Sequence, residues 1–223
     1  MTKKIVMYDA VQDLIDPIPI SVDLVRLYET IQVISRAVGY DPNECFKSKS
    51  KKSTINFTYP KNIPQSIINA HGDLKSKFIG PLTQGEDRIK ELYNIGTNEF
   101  TEMHPIIEQS YIKTVFDQIQ QYHTSKFGSG AIRWVHSSSL APGAAFGLHI
   151  DLHCIARYHI ALTTTECSYM MVNNDNEIKT VHIPADGRVW LLDNNVQHTA
   201  INLVYVDKET DRVRTHLIFS VYD

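Results

Sequence analysis

The residues that could do chemistry lie in the second half of the chain, where seven of the ten histidines follow residue 133. His149 and Asp151 would share one face of a predicted strand, because residues two apart in a strand point the same way. His198 begins a later predicted strand. Two imidazoles and one carboxylate are the ligand set of non-haem Fe(II) sites, which leave positions open for a chelating co-substrate and O₂. The sequence therefore predicts His149, Asp151 and His198 as metal ligands.

The short His-x-Asp motif is weak by itself, and its position strengthens it. It follows a Pro142-Gly143 turn, opens a β-rich half and has a later histidine at a spacing typical of a barrel. His153 would share the face of His149 and Asp151 if the strand continued that far. It is therefore a further candidate for contact with a substrate.

Two more predicted strands, residues 157–164 and 213–222, each have one apolar face and one polar face. The polar faces carry Arg157 and His159 in the first strand and Arg214 and His216 in the second, with Arg212 on the same alternation. Lys and Glu, which dominate ordinary solvated faces, are absent there, and Arg and His are favoured where ligand geometry matters. We expect these faces to line a polar cavity, although a solvated face remains the alternative.

The elements that must position these side chains follow from periodicity. From about residue 131 the pattern has a period of two, in short segments rich in Val, Ile, Tyr, Trp and Thr and separated by turn residues. Eight closely spaced strands favour a sandwich or barrel such as a jelly roll or cupin. The predicted strands are 131–140, 146–151, 157–164, 168–172, 179–183, 188–192, 198–204 and 213–222.

Residues 1–130 have a mixed and mostly helical pattern. One helix is predicted from Leu24 to Val38, capped by Ser21-Val22-Asp23 and ended by Gly39, and a second over residues 108–123. We expect one α+β domain over 1–223, with this helical N-terminal region packed on a β-barrel core at 131–223. The basic run Lys47-Ser-Lys-Ser-Lys-Lys-Ser53 fits a solvated loop, or a contact with phosphate or an acidic substrate.

Composition excludes several classes of protein. The chain has 223 residues, a formal net charge of -3, 43% hydrophobic and 21% charged residues, which are ordinary globular values. They argue against a disordered or fibrous chain and against a strongly basic nucleic-acid-binding protein. No apolar run approaches a membrane span, and three Cys without a CxxC or zinc spacing indicate reduced thiols. We therefore expect a soluble cytoplasmic protein, with no membrane or nucleic-acid partner and an oligomeric state that composition does not fix.

Taken together, the motifs of residues 131–223 resemble the aspartyl/asparaginyl β-hydroxylase family. Its members are Fe(II)- and 2-oxoglutarate-dependent dioxygenases related to bacterial cis-hydroxylases of free proline. The motifs are Ser138-Ser-Leu-Ala-Pro-Gly143, His149-Ile-Asp151, Arg157-Tyr-His159-Ile-Ala-Leu162, Trp190-Leu-Leu-Asp193, His198-Thr-Ala-Ile-Asn202 and Arg214-Thr-His-Leu-Ile-Phe219.

The resemblance implies a double-stranded β-helix core and a role for each matching residue. It makes His149, Asp151 and His198 the iron ligands and Arg214 the partner of the distal carboxylate of 2-oxoglutarate, where a guanidinium fork suits a carboxylate. The implied helper hydroxyl for that carboxylate is Ser138, while Arg157 and His159 would lie near the other end of the co-substrate. Arg212 stays open as a rival to Arg214, and Asn202 as either a ligand contact or a structural hydrogen bond.

The implied reaction is hydroxylation of an unactivated C–H bond in an amino-acid or peptidyl side chain of Asp, Asn or Pro type. It would consume O₂ and 2-oxoglutarate and release succinate and CO₂. A metal-binding cupin of other chemistry and a non-catalytic β-barrel binding or structural protein remain alternatives. Substrate specificity is expected from residues 1–130 or from the loops at 143–147 and 206–211.

Overall fold

The computed structural model of the protein describes residues 15–38, 51–61, 96–151, 153–174, 177–203 and 212–223. Strands dominate these residues and helices are few. In chain order, the strands are β1 (Ile15–Ser21), β2 (Lys52–Asn56), β3 (Thr58–Tyr59), β4 (Glu102–Met103), β5 (Ala131–Leu140), β6 (Ala144–Ala145), β7 (Cys154–Thr163), β8 (Ser168–Asn174), β9 (Glu177–Val181), β10 (Arg188–Asp193), β11 (Gln197–Asn202) and β12 (Arg214–Tyr222). The α-helices are α1 (Leu24–Val38), α2 (Pro105–Glu108) and α3 (Tyr111–Phe127), and a 3₁₀ turn covers Thr97–Glu99.

Ten of the strands form two sheets. The larger has six strands in the order β1-β10-β7-β12-β5-β2, and the smaller has four in the order β6-β11-β8-β9. All pairings within them are antiparallel. The described strands therefore form two separate hydrogen-bonded sheets, without a continuous ring of pairing around a barrel. The short strands β3 and β4 pair with each other.

Strand alternation divides the apolar residues into two clusters. One cluster lies behind the large sheet and combines Leu217 and Phe219 of β12 with Leu27 of α1 and Val115 of α3. The other contains Leu140 and Trp190 from the large sheet together with Met170, Val172 and Ala200 from the small one. Because the second cluster draws on both sheets, the sheets must face each other, and the polar face of β12 points between them.

Several predicted elements coincide with those observed. The predicted strand 131–140 matches β5 at both ends, and the predicted helix 24–38 matches α1, whereas its proposed stop, Gly39, lies outside the described residues. The second helix is shifted to Tyr111–Phe127, because the Ser110 side chain accepts a hydrogen bond from Ile112 N and caps it there. At its other end, Gly128 adopts a φ of 79°, a typical helix stop.

The strand predicted at 146–151 is wrong. Only Ala144–Ala145 pairs as β6, followed by an isolated bridge between His149 and His198. Between Ala145 and His149 the chain holds one residue more than its partner strand, so the pairing is interrupted as at a β-bulge. Leu148 and Ile150 are consequently 54% and 45% exposed, not packed on an apolar face as the alternation predicted.

Residues 1–130 were predicted to be mostly helical, but they contain two strands of the large sheet. β1 and β2 form its two edges, where β1 tolerates Pro17 and β2 is only five residues long. The basic run at 47–53 is partly described, and its last two residues begin β2. None of the described helices combines the length and the apolar character that crossing a membrane requires. A single domain over 1–223 stays a prediction.

Candidate metal centre and active site

A cavity of about 470 Å³ lies between the two sheets, a volume within the range of small-molecule sites. It brings together all seven residues predicted for the site. These are Ser138 from β5, His149 and Asp151 from the segment after β6, Arg157 and His159 from β7, His198 from β11 and Arg214 from β12. Each of four strands and one loop thus contributes at least one of the predicted residues.

The three predicted ligands meet at one end of this cavity. His149 and His198 face each other across the isolated bridge, where their backbone N–H and C=O groups exchange hydrogen bonds of 3.1 and 2.9 Å. Asp151 places Oδ2 at 3.1 Å from Nε2 of His198 and Oδ1 at 3.6 Å from Nε2 of His149. One ligand atom from each residue lies within 4.8 Å of the other two. The bridge therefore sets the spacing of the imidazoles, and Asp151 completes the group.

Backbone carbonyls fix which nitrogen of each imidazole is available. Nδ1 of His149 lies 2.6 Å from the Gly147 carbonyl oxygen, and Nδ1 of His198 lies 3.0 Å from that of Val196. Since a carbonyl oxygen only accepts, each Nδ1 donates its proton, and each Nε2 therefore carries the lone pair when the imidazole is neutral. Metal-bound histidines are oriented by the same kind of contact.

Two lone-pair-bearing Nε2 atoms and a carboxylate converge here, and such a group of acceptors requires a shared proton or a cation. The donor set of two imidazoles and one carboxylate fits a non-haem Fe(II) ion with open coordination positions. The residues present thus fit the metal that the motif predicted.

Asp151 is held by a buried arginine. Nη1 of Arg157 lies 2.6 Å from Asp151 Oδ2, while Nε of Arg157 donates to Ser220 Oγ at 3.2 Å. Burial by itself raises the pKa of the Asp151 carboxyl, but Arg157 and the neighbouring His198 and His149 outweigh it and hold the pKa below its ordinary value. The carboxylate is therefore charged and oriented at neutral pH.

The other predicted charged group, Arg214, is 2% exposed. Its Nη2 lies 3.1 Å from both Met170 Sδ and His216 Nδ1, and no Asp or Glu of the described residues forms an ion pair with it. Burial lowers the pKa of Arg214 to about 9, so the guanidinium remains charged near pH 7. The cavity therefore contains a buried cation without a counter-anion among the described residues, and Ser138 lines the same cavity.

Arg214 and Arg212 differ in position and exposure. Arg212 lies before the start of β12 and is exposed, whereas Arg214 is its first residue and lines the cavity. Asn202 does not line the cavity, and its side chain accepts from Ser168 Oγ and donates to the Leu140 carbonyl. Its hydrogen bonds therefore match the structural alternative.

Several other histidines lie in the cavity or in the core. His159 is buried in the cavity, and burial together with Arg214 and Arg157 lowers its pKa well below 6.5. His153 has a φ of 71°, so the strand does not continue to it, yet it reaches the exposed rim of the cavity. Outside the cavity, His123 is buried and within 2.7 Å of the Tyr158 hydroxyl, which fits a packing role. His71 lies outside the described residues.

Sequence reasoning missed part of the cavity wall. Trp134 and His136 line the cavity and stack at 3.8 Å, and Thr54 of β2 also lines it. The sequence could have predicted Trp134 and His136, because they lie four and two residues before Ser138 in β5 and therefore share the face of the strand that carries Ser138. Thr54 gave no such signal, since β2 was not predicted as a strand.

Comparison with solved structures finds partial likenesses. A 2OG-Fe(II) oxygenase family oxidoreductase from Burkholderia pseudomallei is 15% identical with a TM-score of 0.45, over 55% of this chain and 61% of that one. A Pseudomonas putida prolyl-4-hydroxylase is 16% identical with a TM-score of 0.40, over 53% and 64%. A viral collagen prolyl hydroxylase from Paramecium bursaria Chlorella virus-1 is 10% identical with a TM-score of 0.39, over 49% and 70%. This chain thus spans less than two thirds of the first of these proteins, and no curated protein sequence matches it.

The family assignment rests on a sequence match, because all three TM-scores lie below 0.5. A sequence model described as aspartyl/asparaginyl beta-hydroxylase matches residues 108–223, which is more than half of the chain. The matched segment includes β5 to β12 and with them every residue of the predicted site. This chain belongs to the aspartyl/asparaginyl β-hydroxylase family.

Proposed function

We propose that the protein is an Fe(II)- and 2-oxoglutarate-dependent dioxygenase that hydroxylates an unactivated C–H bond of an amino-acid or peptidyl side chain. The observation that carries the proposal is the pairing of two features in one cavity. His149, Asp151 and His198 bring three ligand atoms within 4.8 Å, and Arg214 offers a buried guanidinium without a described counter-anion. The two facing sheets would then be the double-stranded β-helix core of the family.

In this proposal His149, Asp151 and His198 hold the iron through Nε2, a carboxylate oxygen and Nε2. The Gly147 and Val196 carbonyls keep both imidazoles in the required tautomer, and Arg157 keeps Asp151 ionised. These contacts reduce the reorganisation that metal binding requires.

Arg214 and Ser138 are assigned to the distal carboxylate of 2-oxoglutarate. A guanidinium can bind a carboxylate through two parallel charge-assisted hydrogen bonds, and a hydroxyl can donate a third. Arg157 contacts the predicted ligand Asp151, and Arg157 and His159, the Arg-x-His pair of the resemblance, are assigned to the other end of the co-substrate. His159 is neutral, so it can donate or accept a hydrogen bond there without adding charge.

With iron, 2-oxoglutarate and O₂ bound, the cofactor chemistry supplies the oxidising power for C–H hydroxylation and releases succinate and CO₂. The protein's own groups position the reactants and limit access of water, since His159, His198 and Arg214 are each at most 3% exposed. No side-chain nucleophile or general base is needed.

The test is succinate formation from 2-oxoglutarate with Fe(II), ascorbate and O₂. Wild-type protein is expected to form succinate, and His198→Ala to lose this activity because one of three ligands is removed. His182→Ala is the matched control, since His182 lies outside the cavity and its Nδ1 contacts the Ser168 carbonyl. Activity in His198→Ala equal to that of wild type would contradict the metal assignment.

A further inference from the structure

One edge of the cavity is formed by β2, which lies outside the segment matched by the family. Its residues alternate: Ile55 points into the apolar cluster behind the large sheet, whereas Thr54 lines the cavity. β2 pairs with β5 so that Thr54 lies opposite Ser138 and Lys52 opposite Leu140. Lys52, two residues from Thr54, therefore lies on the cavity face of the same strand.

The Lys52 ammonium lies beside the cavity, against a residue that lines it. Its Nζ lies 4.4 Å from the centroid of the Phe146 ring, and Phe146 lines the cavity. The Phe146 and His149 ring centroids are 6.3 Å apart, so Nζ is no more than about 10.7 Å from the His149 ring when the two distances are added. Three residues of extended chain span about 10 Å, so one short substrate can reach both points.

Lys52 has no described anionic partner. It is only partly exposed, burial lowers its pKa, and no Asp or Glu of the described residues forms an ion pair with it. Its contact with an aromatic face attracts the cation but leaves its hydrogen-bond donors available.

The charges of the loaded site point to the substrate class. In the described lining, Asp151 is the one carboxylate, and Arg157 and Arg214 are the two cations. A divalent metal and a dicarboxylate co-substrate cancel each other, so the two arginines exceed Asp151 by one positive charge. Lys52 adds a second beside the cavity. A cavity of this sign favours an anion and disfavours a substrate cation.

We propose that Lys52 is a specificity-determining residue that binds a side-chain carboxylate of the substrate, so that the protein prefers an acidic side chain to its amide. Thr54 and the unpartnered Nδ1 of the 4% exposed His136 provide neighbouring hydrogen-bonding groups in the same wall. The inference rests on the proposed function, because it assumes that metal and 2-oxoglutarate occupy the cavity beside the substrate.

The experiment measures binding to protein loaded with Co(II) and 2-oxoglutarate, so that no turnover is needed. The probes are two matched pairs, N-acetyl-aspartate and N-acetyl-glutamate N-methylamides against their asparagine and glutamine counterparts, titrated by calorimetry. We expect at least one acidic probe to bind about 2- to 5-fold more tightly than its amide, the size of a partly exposed charge pair. Lys52→Met should reduce this preference and Lys52→Arg should keep it.

Lys51→Met is the matched control, because Lys51 is exposed and precedes the strand. It should keep the preference. Equal binding of acid and amide by wild type, an unchanged preference in Lys52→Met, or its equal loss in Lys51→Met would overturn the inference. If Lys52 only packs on Phe146, Lys52→Met will lower the melting temperature and leave the preference intact. If wild-type protein binds neither Co(II) nor 2-oxoglutarate, the proposed function fails as well.

Discussion

Replacing Arg214 with methionine separates a co-substrate ligand from a structural residue. The guanidinium is buried, and no described carboxylate pairs with it. If it binds the distal carboxylate through two charge-assisted hydrogen bonds, each contributes about 1.5 to 3 kcal/mol. Arg214→Met should therefore weaken 2-oxoglutarate binding by about 3 to 6 kcal/mol, or roughly 10²- to 10⁴-fold. Calorimetric titration of 2-oxoglutarate into Mn(II)-loaded protein measures this directly.

The same substitution should affect folding much less. Breaking a buried structural ion pair typically costs about 3 to 5 kcal/mol, whereas Arg214 loses only its contacts with Met170 and His216. We expect the free energy of unfolding of the metal-free protein to change by about 1 kcal/mol. Arg212→Met, at an exposed position before β12, should alter neither quantity. Unchanged 2-oxoglutarate affinity together with a loss of several kcal/mol in stability would refute the reasoning.

Three further predictions concern the scaffold of the site. Burial lowers the pKa of His136 well below 6.5. Below pH 6.5 the unfolded chain therefore takes up a proton at His136 that the folded protein does not. The contribution of His136 to stability is complete above pH 6.5 and decreases by about 1.4 kcal/mol for each pH unit below that value. Denaturant unfolding of metal-free His136→Phe between pH 7 and 5 should show a correspondingly shallower loss than wild type, and equal slopes would contradict the assignment. Gly187→Ala should destabilise the protein by several kcal/mol, because an added Cβ would lie 2.5 Å from the Val22 carbonyl oxygen. Gly128 has a similar φ but open space around it, so Gly128→Ala should cost only about 1 to 2 kcal/mol. Thermal unfolding of the two variants measures the difference. Leu217→Ala, at a fully buried position of β12, should cost about 2 to 5 kcal/mol by denaturant unfolding, and a loss below 1 kcal/mol would contradict the packing behind the large sheet.

Local periodicity predicted the parts of the fold in which one face is buried. Strand β5 and helix α1 were predicted with their observed bounds, because a regular alternation or a three-four spacing runs through each of them. The residues predicted for the site line one cavity, because Arg157, His159 and Arg214 alternate with core residues on neighbouring central strands. Family membership, predicted from the ordered motifs, is confirmed by the match to residues 108–223.

The errors arose where tertiary contacts decide the conformation. Residues 146–151 alternate like a strand, but pairing with β11 is interrupted there, and His149 is positioned by a single bridge. Strand β2 is too short and too polar to be predicted alone, and it forms through pairing with β5. As a result the sequence predicted the three residues that meet in the cavity but missed the wall that contains Thr54, Trp134 and His136, which is the wall adjoining Lys52.

The iron site is tested most directly by the visible absorption band that forms when 2-oxoglutarate chelates Fe(II) in a protein. It should be recorded without O₂ while 2-oxoglutarate is titrated into Fe(II)-loaded protein. We expect one saturable band in wild type, its loss in His198→Ala and its appearance only at much higher 2-oxoglutarate concentration in Arg214→Met. Absence of the band in wild type, or an unchanged band in His198→Ala, would contradict the central claim that His149, Asp151 and His198 hold an iron to which 2-oxoglutarate binds.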